Sequence, residues 1–169
     1  VIAHTTYKVL SNNTLDITFD ATTDKETVVN MTNHSYFNLN GDPSKEGTNM
    51  WLYLNADNYT PADSTYMTTG EIRSVEGTPM DFRKAHALEE TINDTSFDQI
   101  RNATGYDHNW CLNTYKNGKG DDTKVCAVLW SPVTKIGLSM YTNEPGVQVY
   151  TGNFQGTGVS CKHGIKYPK

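Results

Sequence analysis

Val125-Cys126-Ala127-Val128-Leu129-Trp130-Ser131-Pro132-Val133-Thr134-Lys135-Ile136-Gly137-Leu138-Ser139-Met140 reads as two strands joined by a short turn. Cys126, Val128 and Trp130 alternate with Val125, Ala127 and Leu129, so both faces of the first run are apolar and fit burial on both sides. Ile136, Leu138 and Met140 alternate with Gly137 and Ser139, which gives the second run one apolar face. Ser131-Pro132 supplies the break between them. The same period of two recurs near the start, where Leu15, Ile17 and Phe19 alternate with Asp16, Thr18 and Asp20. Further strands are expected at Thr5–Leu10, Thr27–Thr32, Met50–Leu54 and Gly146–Tyr150. Ser11-Asn12-Asn13 has the spacing of a hairpin turn, and Asn40-Gly41-Asp42-Pro43 marks another turn. Many short strands with Gly and Pro turns point to an all-β sandwich or barrel.

Composition agrees. The 169 residues include 23 Thr, 16 Asn, 13 Gly and 10 Tyr, which favour strands and turns over helices. The stretch from Thr60 to Gly105 is the exception, with little period-two pattern. It is expected to be a long ordered loop region packed down by Met67, Ile72, Val75, Met80 and Phe82. Ala87–Ile92 is expected to form a short helix within it, and Ser96–Arg101 a turn. Loops this long in compact domains tend to be functional. No repeat or linker divides the chain, so residues 1–169 are expected to belong to one domain.

Charge and cysteine use exclude several functions. The formal net charge is −5, whereas a nucleic-acid binder needs a basic footprint. No run approaches the roughly 18 consecutive apolar residues of a membrane helix. Cys111, Cys126 and Cys161 are widely spaced and form no CxxC pair, which suits ordinary thiols in a reducing compartment better than zinc or a disulfide framework.

Three clusters could carry chemistry. The first is Asn33-His34-Ser35-Tyr36-Phe37-Asn38-Leu39. If the preceding strand keeps its pleat, Asn30, Thr32 and His34 share a face, and His34 is either an acid or base working near neutral pH or a hydrogen-bonded histidine of a polar core. The second is Gly105-Tyr106-Asp107-His108-Asn109-Trp110. Adjacent strand residues face opposite ways, so Asp107 and His108 would not act together. Asp107 can equally be a turn residue bonding its own backbone. No third ligand in a recognisable pattern accompanies them for a metal. The third runs from Asn143 to Asn153, where Gln148 and Tyr150 share one face of a short strand. Fixed donors and acceptors with an aromatic ring nearby suit sugar hydroxyls; an edge strand facing water is the alternative. His4, His86 and His163 lack identifiable partners and are expected at the surface. Six N-x-S/T sequons reflect the abundance of Asn and Thr.

In this order, the clusters resemble the aldose 1-epimerase (galactose mutarotase) family. The resemblance rests on the run from Asn30 to Leu39, on Glu76-Gly77-Thr78-Pro79-Met80-Asp81-Phe82-Arg83, on Tyr106-Asp107-His108-Asn109-Trp110, and on Glu144-Pro145-Gly146-Val147-Gln148-Val149-Tyr150-Thr151-Gly152-Asn153. It implies a galactose mutarotase-like β-sandwich (supersandwich), incomplete at both ends, with a sugar cleft. It implies interconversion of the α and β anomers of a free hexose such as glucose or galactose, without cofactor or metal. By family match His34 is the acid that protonates the ring oxygen, and Asp107 and Gln148 hold sugar hydroxyls.

The family's general base is a glutamate in a later strand, and no glutamate follows Glu144 in these 169 residues. Glu144 lies on the wrong side of the Pro145-Gly146 turn to take that role. The expectation is therefore an isomerase acting on carbohydrates, represented by a stretch that is inactive by itself, with a non-catalytic carbohydrate-binding module as the alternative. The expected partner is a monosaccharide, not nucleic acid or membrane. Exposed strand edges favour self-association. The lack of a signal-peptide pattern points to the cytoplasm, with an exported or periplasmic location left open by whatever precedes Val1.

Overall fold

Strand β1 (Ile2–Val9) pairs antiparallel with β2 (Leu15–Thr22) over its whole length, from Ile2 opposite Thr22 to Val9 opposite Leu15. The expected turn closes the hairpin: Leu10 N–H donates to the Thr14 carbonyl at 2.9 Å. Asn13 takes the left-handed conformation there (φ 61°), which asparagine tolerates better than most side chains. The computed structural model describes residues 1–42, 46–155 and Gly164. By its contacts the chain divides into Val1–Phe37 and Asn38–Lys169. Pro43, Cys161, His163 and the final Lys166–Lys169 lie outside the described residues.

In the first unit the hairpin is its only regular structure among the described residues. The strand expected at Thr27–Thr32 does not form: these residues pair with no neighbour, and Val28 is 91% exposed. A strand needs a partner for its N–H and C=O groups. Val28 and Val29 would point to opposite faces, leaving only Val29 and Met31 to share an apolar side.

The second unit contains two antiparallel four-stranded sheets. Its elements are β3 (Trp51–Leu54), β4 (Asn58–Thr60), β5 (Arg73–Ser74), β6 (His86–Ala87), helix α1 (Asp98–Ala103), β7 (Asp107–Cys111), β8 (Tyr115–Lys116), β9 (Lys119–Gly120), β10 (Ala127–Trp130), β11 (Gly137–Met140) and β12 (Gly146–Tyr150). One sheet has the order β11-β10-β3-β6 and the other β12-β7-β4-β5, while β8 and β9 form a separate hairpin. In the first sheet, Leu129 lies between Leu52 and Leu138, and Ala127 between Leu54 and Met140. In the second, Trp110 lies between Tyr59 and Val147. These inward faces meet in one core, the arrangement of a sandwich.

The Thr60–Gly105 region contributes Val75, Met80, Phe82, Leu88 and Ile100 to this core. Val75, Met80 and Phe82 are buried as expected, whereas Met67 and Ile72 are each 66% exposed. Apolar character alone did not identify which loop residues turn inward. Phe82, Tyr106 and Trp110 pack with ring centroids 5.3–6.1 Å apart. The indole N–H of Trp110 donates to the Met80 carbonyl at 3.0 Å, and the Tyr106 hydroxyl donates to that of Pro79 at 2.9 Å. The short helix expected at Ala87–Ile92 is a single 3₁₀ turn, Leu88–Glu90, and the turn expected at Ser96–Arg101 is α1. His86 is not a free surface residue: it stacks on Phe82 at 4.4 Å. Cys126 is buried and Cys111 half-buried, both as free thiols.

Candidate functional site

Asp107 opens β7, and the segment leading to it is tightly constructed. Helix α1 ends at Thr104 in the left-handed conformation, and Gly105 follows at φ 137°. A Cβ on Gly105 would stand 2.5 Å from Asn153 Oδ1, so only glycine fits. Asn153 donates its side-chain amide to the carbonyls of Ala103 (2.8 Å) and Tyr106 (3.0 Å), and Thr151 Oγ1 accepts the Tyr106 N–H at 3.0 Å. The Thr151-Gly152-Asn153 segment thus clamps the start of the strand that carries Asp107.

Strand alternation then sorts the side chains. His108 and Trp110 point into the core, while Asp107 and Asn109 lie on the opposite face. Across the ladder Tyr150 is opposite Asp107 and Gln148 opposite Asn109. Gln148 Nε2 donates diagonally to Asp107 Oδ1 at 2.8 Å. Asp107 is therefore held by a neighbouring strand and does not bond its own turn. The pair borders a depression of about 110 Å³ that also includes Thr60, Tyr66, Thr68 and Asn109.

Beneath this face, His108 is only 2% exposed. Its Nδ1 accepts the backbone N–H of Asp107 at 3.1 Å. The reason lies in β4, which ends at Thr60 opposite Asn109. Ala62, next in register beside Asp107, has its N–H and carbonyl bonded to Gln99, so the ladder stops there and the imidazole takes the Asp107 N–H instead. Burial pushes the His108 pKa down, against the opposing pull of the Asp107 and Asp98 charges. Its Nε2 and the hydroxyl of Tyr59 are buried without a partner among the described residues. Asp107 and His108 do face opposite ways, as strand geometry requires, but they are coupled through the backbone.

His34 belongs to the first unit, is exposed, and has its ring 4.9 Å from that of Tyr36. It lies outside any strand, so the shared face expected for Asn30, Thr32 and His34 has no pleat to define it. Trp110 is wholly buried and presents no ring to the depression. The aromatic side chain there is Tyr66, from the long loop, which the sequence reading did not select. Asn109 could have been found, since it stands two residues after Asp107 on the same strand face. Among the described residues no three His, Cys, Asp or Glu side chains gather as a metal-binding group. No helix of the described residues is long and apolar enough to cross a membrane.

Comparison with known proteins matches this arrangement to one family. The family model described as aldose 1-epimerase matches residues 1–168. The aldose 1-epimerase of Escherichia coli K12 is 41% identical over 150 residues, covering 89% of this chain and 41% of that protein. Human galactose mutarotase is 38% identical over 161 residues, covering 95% of this chain and 44% of that protein. The crystal structure of galactose 1-epimerase from Lactobacillus acidophilus superimposes with a TM-score of 0.79 at 31% identity, covering 93% of this chain and 43% of that one. The chain spans less than half the length of these relatives. It has the galactose mutarotase-like fold and belongs to the aldose 1-epimerase family.

Proposed function

We propose that these residues supply part of the active site of an aldose 1-epimerase that interconverts the α and β anomers of a free hexose such as glucose or galactose. The observation that carries this reading is the Asp107–Gln148 pair, bonded at 2.8 Å across two strands and open to solvent on the sheet face. A hexose is a rim of hydroxyls, each both donor and acceptor. A carboxylate accepts from two of them, and a carboxamide offers both an acceptor and donors. Family membership supports a sugar as the substrate class.

The reaction needs two proton transfers. One group protonates the ring oxygen while another removes the proton of the C1 hydroxyl. The bond from C1 to the ring oxygen breaks, leaving an aldehyde at C1 and a new hydroxyl. Rotation about the C1–C2 bond presents the other carbonyl face, and closure reverses both transfers. His34 takes the role of the acid, and Asp107 and Gln148 hold hydroxyls so that the open chain does not drift. Residues 1–169 act as part of a single mutarotase-like domain. None of the 169 residues matches the family's base, so this chain by itself is inactive or nearly so.

Polarimetry on freshly dissolved α-D-glucose and α-D-galactose tests this. A longer protein containing this chain should accelerate mutarotation, and His34→Gln should abolish the acceleration. Robust, His34-dependent mutarotation by the 169 residues alone would overturn their inactivity. Hexose binding without any acceleration in the longer protein would mark a non-catalytic sugar-binding module instead.

A further inference from the structure

Tyr66 and Phe154 are two large aromatic side chains left open to solvent, 50% and 59% exposed, yet packed edge to face at 5.4 Å. Tyr66 borders the same depression as Asp107 and Gln148. Phe154 lies just beyond the strand that carries Gln148, and its N–H donates to the hydroxyl of Tyr150 at 3.0 Å.

The loop presenting Tyr66 is built to hold it. The Asp63 carboxylate accepts from Thr65 N–H (2.7 Å), Thr65 Oγ1 (2.6 Å) and Met67 N–H (3.2 Å). Tyr66 N–H donates to the Asp63 carbonyl at 3.1 Å, and Ala62 bridges to Thr68 to close the loop. The buried Gln99 of α1 anchors its base, accepting from Ala62 N–H at 2.8 Å and donating to the Ala62 carbonyl at 3.1 Å. Tyr66 itself sits at φ 66°, in the left-handed region that favours glycine. A bulky ring kept in that conformation, with half its surface uncovered, is strain held in place by its surroundings, a pattern that clusters at ligand sites.

We propose that Tyr66 and Phe154 form the apolar wall of the sugar site, taking the C–H face of a pyranose while Asp107 and Gln148 hold its hydroxyls. This rests on the hexose reading above. A pyranose presents a patch of C–H bonds on its ring face and hydroxyls around its rim, and the depression pairs those two characters. Among the described residues no lysine or arginine lines it, and Asp107 adds a negative charge. The wall therefore suits a neutral hexose and disfavours a sugar phosphate, which needs cationic partners.

Ligand-observed NMR of a longer protein containing this chain with methyl β-D-galactopyranoside, a glycoside that cannot ring-open, tests the wall. Tyr66→Gly removes the ring and suits the backbone, so its thermal midpoint should be no lower than that of the wild type. Tyr66→Gly and Phe154→Leu should each weaken binding by about three- to tenfold. Tyr66→Phe should bind like the wild type, and galactose 6-phosphate more weakly than galactose. Gln148→Ala separates the two levels of inference. If the wild type binds no hexose, or Gln148→Ala binds as tightly as the wild type, the hexose reading fails and the wall with it. If Gln148→Ala weakens binding but Tyr66→Gly and Phe154→Leu do not, only the wall is overturned.

Discussion

The backbone N–H of Asp107 donates to Nδ1 of the next residue, His108, at 3.1 Å. Nδ1 can accept only when it carries no proton, so His108 is neutral with its proton on Nε2. One face of the strand thus carries the half-buried carboxylate, and the other carries the buried imidazole that secures its backbone.

This tautomer is measurable. Nitrogen-15 NMR should show a pyridine-like Nδ1 and a pyrrole-like Nε2 for His108 at neutral pH. In His108→Leu, the Asp107 amide loses its acceptor and should lose protection against hydrogen exchange. Removing the unpaired Nε2–H offsets that loss, so global stability should change by less than about 1 kcal/mol. An Asp107 amide that stays protected in His108→Leu would refute the arrangement.

Acid should unmask the same residue. In the unfolded chain a histidine titrates near 6.5, and burial holds His108 below that in the folded state. Between the two values the unfolded chain binds the extra proton. The contribution is therefore fully present above about pH 6.5 and is lost as pH falls through that window. Urea midpoints measured from pH 7.5 to 5 should decline in the wild type and flatten in His108→Leu.

Gln148 is exposed and contributes to the sheet mainly through its cross-strand bond. Gln148→Ala should leave stability within about 0.5 kcal/mol of the wild type. Hexose affinity should fall roughly tenfold, the value of about one hydrogen bond. Calorimetry with galactose, read beside a denaturation curve, checks both.

Gly105 is irreplaceable for two independent reasons, its φ of 137° and the approach of Asn153 Oδ1. Gly105→Ala should cost about 2–3 kcal/mol through backbone strain and displacement of the Asn153 clamp. Thermal denaturation should show a clearly lower midpoint, whereas Gly118→Ala, with nothing within 4 Å of its Cβ, bears the conformational cost alone.

The hairpin of the first unit leaves Ile2, Tyr7, Val9 and Leu15 between 52% and 85% exposed. Two-stranded hairpins are marginal in water, and bare edges recruit further strands. Self-association is expected for the 169-residue chain, and sedimentation velocity should show species above the monomer. Charged substitutions at Tyr7 and Val9 should shift the distribution toward the monomer.

Much of the fold was legible because period-two patterning is a local property. Leu15 to Phe19, Ala127 to Trp130 and Gly137 to Met140 each formed the strand their alternation predicted. Thr27–Thr32 did not, because a strand depends on a neighbour that the sequence does not name. Met67 and Ile72 were misjudged for a related reason: in a loop without a period, apolar character does not say which way a side chain faces. Asp107 and Gln148 were singled out through the family pattern, and the tertiary structure brings them together across β7 and β12. Tyr66 was not, because its place beside them depends on a loop folding back from a remote part of the chain.

The sequence by itself therefore determined the β class, the turns at Ser11-Asn12-Asn13 and Ser131-Pro132, the family and the residue types available for sugar chemistry. These follow from local periodicity, turn sterics and motif. Only the tertiary structure decided that Gln148 bonds Asp107 rather than water, that Trp110 serves the core rather than a ligand, and that His108 takes the Asp107 N–H where Ala62 bonds Gln99 instead. Each depends on which strand lies beside which, and that pairing is settled by burying the two sheets' apolar faces against each other.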